Sequence, residues 1–165
     1  MDRAALLSHI RNALAAISTP RFFETERGYQ GALLAQLEQR IPKELLPEGT
    51  IIEQEYQKRL EQHGLSIRPD IVIHEPFDTR RHKDRAEGNI AVIELKLNAT
   101  SLQAADDFAN LCAMIRVLRY PLAVFINIGS TSTLTQVAPP EAKGCLVCFA
   151  VSIKDGTVNV AEEQV

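Results

Sequence analysis

The sequence predicts an α/β fold in which a mixed central sheet is flanked by helices. The core elements run in the order αβββαβ, with an extra N-terminal helix before them and further strands after them. Three observations lead there. Residues 26–40 and 100–119 repeat apolar side chains at helical spacing. Between them lie three short runs of strand character separated by turn signals. Leu122 to Ile128 is almost continuously apolar, the pattern of a strand covered on both faces.

Taken in order, residues 3–17 read as a helix, with Leu6, Leu7, Ile10, Leu14 and Ile17 on one stripe. Ser18-Thr19-Pro20 ends it. It reads as a packing or dimer helix without chemistry. A second helix follows from Glu26 to Arg40, with Thr25 as its N-cap and Tyr29, Leu33 and Leu37 facing inward. Glu26 lies on that inward face. It either aims a carboxylate at a site or complements the helix dipole, worth about 0.3–1 kcal/mol. Gln30, one turn on, shares its direction.

Pro47-Glu48-Gly49 marks a loop, and a strand is expected over 50–58 with Glu53 and Glu55 on a solvated face. A second strand opens after Pro69, which cannot donate a ladder bond and so belongs at a strand start. The third strand runs from Asn89 through Ile93-Glu94-Leu95-Lys96-Leu97. Thr100 and Gln103 form a capping box for a helix to about Arg119. Its expected stripe is Leu102, Ala105, Phe108, Ala109, Cys112 and Ile115, with Asp106 and Asp107 in solvent. A strand over 145–153 and a short one over 157–160 close the chain, and the tail from Glu162 is expected to fray.

The second and third strands carry charge where a buried strand should carry none. Alternation puts Asp70, Val72 and His74 on one face of the first, and Glu94 and Lys96 on one face of the second. If Asp70 pairs opposite Glu94, two carboxylates and an ammonium converge. Two carboxylates that close need a shared proton or a cation between them. A hard divalent ion, Mg²⁺ or Mn²⁺, suits such oxygen donors. His74 lies roughly 13 Å along the strand from Asp70, too far to share one ion. Cys145 and Cys148 face opposite ways on a strand and make no zinc site. The loop between the two strands holds the one dense basic run, with Arg80, Arg81, Lys83 and Arg85. It reads either as phosphate contact beside the site or as a solvated hairpin tip.

At Pro69-Asp70 and Glu94-Leu95-Lys96 the sequence resembles the PD-(D/E)xK nuclease superfamily, which has the restriction-endonuclease-like fold. The resemblance covers about residues 26–128. It implies a metal-dependent endonuclease, a phosphodiester hydrolase acting on nucleic acid, with DNA expected ahead of RNA. Asp70 and Glu94 would bind the ion with the backbone carbonyl of Leu95, and Lys96 would orient the attacking water. Glu26 would complete the catalytic set, with Glu38 as the fallback. Gln30 and Gln103 are possible accessory residues. The products would be 5′-phosphate and 3′-hydroxyl ends.

Composition bounds these readings. The chain has 165 residues and 45% hydrophobic content, which suits one domain with its own core. Net charge is −3 with a sequence pI near 5.8, which counts against gripping nucleic acid unaided over a long surface. A nuclease-fold binding module without catalysis and a subunit active only in a homodimer or larger complex therefore stay open. No apolar run approaches the ~20 residues of a membrane span. Three sparse cysteines fit a reducing, cytoplasmic setting.

Overall fold

The computed structural model describes residues 2–165. Helix α1 (Arg3–Ala15) starts at Asp2, whose carboxylate accepts the Ala4 N–H at 2.9 Å. A 3₁₀ turn over Pro20–Glu24 leads to helix α2 (Glu26–Arg40). Thr25 caps α2 by accepting the Gly28 N–H at 3.0 Å. A Cβ on residue 28 would stand 2.7 Å from the Thr25 hydroxyl, so glycine leaves the cap its room. The helix ends where Ile41, which precedes Pro42, turns extended.

Six strands form one sheet in sequence order: β1 (Ile51–Gln54), β2 (Ile71–His74), β3 (Asn89–Leu97), β4 (Leu122–Ile128), β5 (Leu146–Lys154) and β6 (Thr157–Gln164). β1, β2 and β3 pair antiparallel, β3, β4 and β5 parallel, and β6 antiparallel to β5. The parallel step from β3 to β4 needs a crossover, which helix α4 (Ser101–Leu118) supplies. A one-turn helix α3 (Leu60–His63) sits between β1 and β2. From α2 to β4 the main elements run αβββαβ, the order the sequence predicts, in a mixed sheet flanked by helices.

Alternation along the strands builds two cores. Ile71, Ile73, Ile93 and Leu95 pack towards α1 and α2, with Leu6, Ile10, Tyr29 and Leu33. Val72, Val92, Phe125 and Cys148 pack towards α4, with Phe108, Leu111 and Met114. Each large aliphatic side chain so buried contributes about 1.5–3 kcal/mol. Helix α1 thus spends its apolar stripe on the chain's own core.

Four expectations change. The first strand stops at Gln54, because Glu55 turns left-handed with φ 51°. The tail does not fray: Glu162 and Glu163 lie in β6, and Arg11 pairs with Glu162 at 2.6 Å. The first helix ends at Ala15, although Ile17 stays buried. The buried stripe of α4 is Ala104, Phe108, Leu111, Met114 and Leu118, and Leu102 is 74% exposed.

The strand lengths create the site. β2 begins only at Ile71, while β3 continues to Leu97 beside β4. A notch opens beside the C-terminal part of β3.

Candidate functional site

Asp70 sits in that notch. Ile71 pairs with Ile93 and Val72 with Val92, so the next pair along is Asp70 opposite Glu94. There the ladder changes partner. The Leu95 N–H donates to Oδ2 of Asp70 at 2.7 Å instead of to a carbonyl. The N–H and C=O of one residue leave an extended strand on the same edge. The Leu95 carbonyl is therefore on this side too. The carbonyl of Asp70 accepts from Gln30 Nε2 at 2.8 Å and from the Glu55 N–H at 2.9 Å. Gln30 is 3% exposed, so its amide is a buried clamp on the Asp70 backbone.

Lys96 stands next along β3 on the same face as Glu94. Its ammonium is 3.8 Å from Oε1 of Glu26 on α2 and 3.8 Å from Oδ2 of Asp107 on α4. The other Glu26 oxygen accepts the Leu97 N–H at 3.2 Å. Helices from both faces of the sheet thus deliver a carboxylate to one lysine at the sheet's end.

The electrostatics follow from this crowding. Glu94 is 8% exposed, and burial first, then the charge of Asp70, pushes its pKa well above the ordinary carboxylate range. Burial also raises Asp70, against the Leu95 N–H, which favours the charged form. A proton shared between the two carboxyls favours charge on Asp70 and disfavours it on Glu94. Burial raises Asp107 to about 6. For Lys96 burial works against the charge, but Asp107, Glu26, Asp70 and Glu94 outweigh it and the pKa rises.

No group of three or more His, Cys, Asp and Glu side chains among the described residues is arranged as a ready metal cage. The donor set here is of another kind: two carboxyl groups on adjoining strands and a main-chain carbonyl. Two features fit a hard cation. Four carboxyl groups surround one ammonium. Oδ2 of Asp107 is buried and accepts no hydrogen bond among the described residues.

Other expected residues stand elsewhere. Gln103 closes the capping box with Thr100, its Oε1 accepting the Thr100 N–H at 3.0 Å, and it is exposed. Glu38 is exposed near the far end of α2. The basic loop leaves β2 at His74 and re-enters β3 at Asn89, the opposite end of both strands from Asp70. It is not beside the site, because the strands place the better part of their length, roughly 13 Å, between them. Three of its four cations are also engaged. Arg80 pairs with Asp78 and Arg81 with Glu75, both at 2.6 Å, and Arg85 lies 4.6 Å over the Phe77 ring. His74 is a strand-end residue bonded to Glu53 at 3.1 Å.

Asp107, expected in solvent, is the residue that sequence reading misses. The signal was present. With the stripe of α4 phased on Ala104, Phe108 and Leu111, Asp107 falls on the inward face at i+3 from Ala104. Glu55, expected on a solvated face, ties the end of β1 to Asp70 through its N–H.

No family model matches the chain, and no curated protein matches it. Among solved structures it is similar to NucC of P. aeruginosa ATCC27853 in its cAAA-bound form, at 14% identity over 97% of this chain and 82% of that one, with a TM-score of 0.47. It is similar to NucC of E. coli MS115-1 in its cAAA-bound form, at 14% identity over 97% and 81%, with a TM-score of 0.45. SfsA of Pyrococcus furiosus in complex with Ca²⁺ is similar at 17% identity over 82% and 62%, with a TM-score of 0.40.

Proposed function

We propose that this chain is a metal-dependent phosphodiester hydrolase that cuts nucleic acid, DNA ahead of RNA. The observation that carries the reading is the meeting of Asp70, directly before β2, with Glu94 on β3, and Lys96 beside them among four carboxyl groups. Asp70, Glu94 and the Leu95 carbonyl would hold Mg²⁺ or Mn²⁺. When bound there, the ion supplies Lewis-acid polarisation of a phosphate oxygen and lowers the pKa of a water.

The protein's own groups do the rest. Lys96 orients the attacking water and stabilises negative charge on the phosphorane-like transition state. Glu26 and Asp107 hold the Lys96 ammonium in place and keep it charged. Gln30 and the Glu55 N–H fix the backbone of Asp70, so its free oxygen keeps one position. The water gives up a proton to solvent as its oxygen bonds to phosphorus, the P–O3′ bond breaks, and the departing O3′ takes a proton from solvent. The products are a 5′-phosphate and a 3′-hydroxyl, as the resemblance implies.

The test is calorimetric titration of Mn²⁺ and Mg²⁺ into the wild type and Asp70→Ala, followed by incubation with mixed DNA and RNA. Metal uptake lost in the variant, together with metal-dependent cutting, is the expected result. No metal uptake by the wild type overturns the catalytic reading. Metal uptake without cutting favours a subunit that acts only in a larger assembly. The pairing of Arg80 and Arg81 with acids supports that second reading, since it leaves fewer free cations for an extended nucleic-acid track.

A further inference from the structure

We propose that Arg27 and Arg68 form a binding pair for nucleic-acid backbone phosphate beside Asp70, and that Glu55 occupies this pair when no nucleic acid is bound. The inference rests on the nuclease reading and names where that substrate's backbone is held.

The two guanidinium groups share one carboxylate. Arg27 Nη2 is 3.3 Å from Oε1 of Glu55, and Arg68 Nη1 is 3.8 Å from Oε2. Two cations on one anion leave a net positive charge. Both separations exceed the 2.7–2.9 Å or so of a tight charge-assisted bond, so the contacts are readily exchanged. The arginine side chains are 81% and 56% exposed, open to a partner from solvent. A guanidinium offers phosphate the same planar fork that it offers carboxylate. One carboxylate held between two arginines therefore stands where a phosphate would.

The pair is tied to the candidate catalytic residues. Arg68 is two residues from Asp70, about 7 Å of extended chain. Arg27 follows Glu26 in the first turn of α2. Glu55 holds a left-handed backbone, φ 51°, uncommon without glycine, and its N–H donates to the Asp70 carbonyl. A cleft of about 480 Å³ adjoins the pair, lined by Arg27, Gln30, Gly31, Gln54 and Glu55. Nothing lies within 4 Å of where a Cβ on Gly31 would stand, so this wall is open. Gln30, which lines the cleft, is the same residue that clamps Asp70. The denser basic run at Arg80 to Arg85 lies at the other end of the β2–β3 hairpin, where Arg80 and Arg81 are held by Asp78 and Glu75.

The experiment is fluorescence anisotropy of a labelled 20-base-pair DNA duplex in EDTA across a salt series. It compares the wild type, the Arg27→Ala/Arg68→Ala double variant, an Arg80→Ala/Arg81→Ala control and Glu55→Gln. Each phosphate contact adds about 0.9 to the slope of log K against log salt, so the double variant should lose about 1.8 and the control almost nothing. Glu55→Gln should bind at least about threefold tighter, because a competing like charge to the phosphate is gone. An unchanged slope in the double variant, a loss in the control instead, or no duplex binding by the wild type overturns the phosphate pair. Failure of Glu55→Gln to tighten overturns the part given to Glu55. Mn²⁺ titration of the same proteins separates the two readings. Wild-type metal uptake with an unchanged slope removes the phosphate pair and leaves the metal centre, whereas absent uptake removes the nuclease reading itself.

Discussion

The backbone N–H of Leu95 donates to Oδ2 of Asp70 across 2.7 Å, so a side chain closes the rung where β2 runs out. One carboxylate oxygen is thereby given to the fold, and the proposed function gives the other to the metal ion. The two duties separate by substitution. Asp70→Asn keeps an acceptor for Leu95 but loses the charge, and should fold as the wild type does while taking up no Mn²⁺. Asp70→Ala loses both, and should also cost about 1 kcal/mol in urea unfolding. Equal metal uptake by Asp70→Asn and the wild type would contradict this division.

Lys96 is held by carboxylates, and its proposed duty begins after metal is bound. Lys96→Met should retain Mn²⁺ uptake in calorimetry. Its metal-dependent cleavage should fall by at least about 100-fold, the scale of losing one transition-state donor. Loss of uptake and cleavage together would make Lys96 a structural partner of the carboxylates.

Burial raises Asp107 to about 6, and burial with the Asp70 charge raises Glu94 well above its ordinary value. Both groups bind protons in the folded state that the unfolded chain releases near pH 4. Their contribution is complete below about pH 4; that of Asp107 is lost as pH rises through about 6, and that of Glu94 is lost as pH rises through its own raised pKa. For Asp107 this amounts to roughly 3 kcal/mol. The Tm of metal-free protein should therefore fall between about pH 4 and 7 from this source, and Asp107→Asn should flatten that fall. Mn²⁺ at neutral pH should recover the lost stability by mass action. Thermal melts across pH, with and without Mn²⁺, read all three effects.

Lys58 is 2% exposed, with Nζ 3.2 Å from the Tyr120 hydroxyl and 4.2 Å from the centre of the Tyr56 ring. No carboxylate among the described residues lies within ion-pair distance of it. Burial lowers its pKa to about 8, although Glu53 acts against the shift. The unfolded chain holds this proton up to about pH 10.4, so stability should rise with pH between about 8 and 10.4. It should be lower by up to about 3 kcal/mol below that window. Lys58→Met should abolish the rise and be at least as stable as the wild type at pH 7, since an unpaired buried ammonium is replaced by an apolar chain of similar length. Urea unfolding at pH 7 and 10 checks both.

Much of the frame was legible because local rules act within a few residues. Thr25 and the inward Tyr29, Leu33 and Leu37 delimit α2, whose bounds are Glu26–Arg40 as read. The Thr100–Gln103 capping box starts α4, and the apolar run Leu122–Ile128 is β4 to the residue. The Asp70–Glu94 juxtaposition was also within reach, because a period of two leaves few registers that bury Ile71, Ile73 and Ile93 together. The stripe of α4 was not, because several alternative apolar sets on that helix have nearly the same spacing. Only packing against Phe125 and Val92 selects the set that turns Leu102 outward and Asp107 inward.

The sequence by itself determined the element order, the two caps, the strand faces and the placing of Glu94 and Lys96 on β3, with Asp70 directly before β2. These depend on side-chain periodicity and short-range hydrogen bonds, which composition and spacing encode directly. Tertiary structure alone decided that Glu26 and Asp107 reach Lys96 from opposite faces, that Gln30 clamps Asp70, and that Arg27 and Arg68 share Glu55. It also decided that the basic loop lies at the far end of its own hairpin, where Asp78 and Glu75 pair with Arg80 and Arg81. The contacts made by Lys96, Asp70 and Glu55 join residues 11 to 70 positions apart, and strand length and helix phase set them. Neither quantity is a property of any one segment. β2 stops where β3 continues, α4 turns on its axis until its bulkiest stripe is buried, and the charged groups meet at the end of the sheet that remains open.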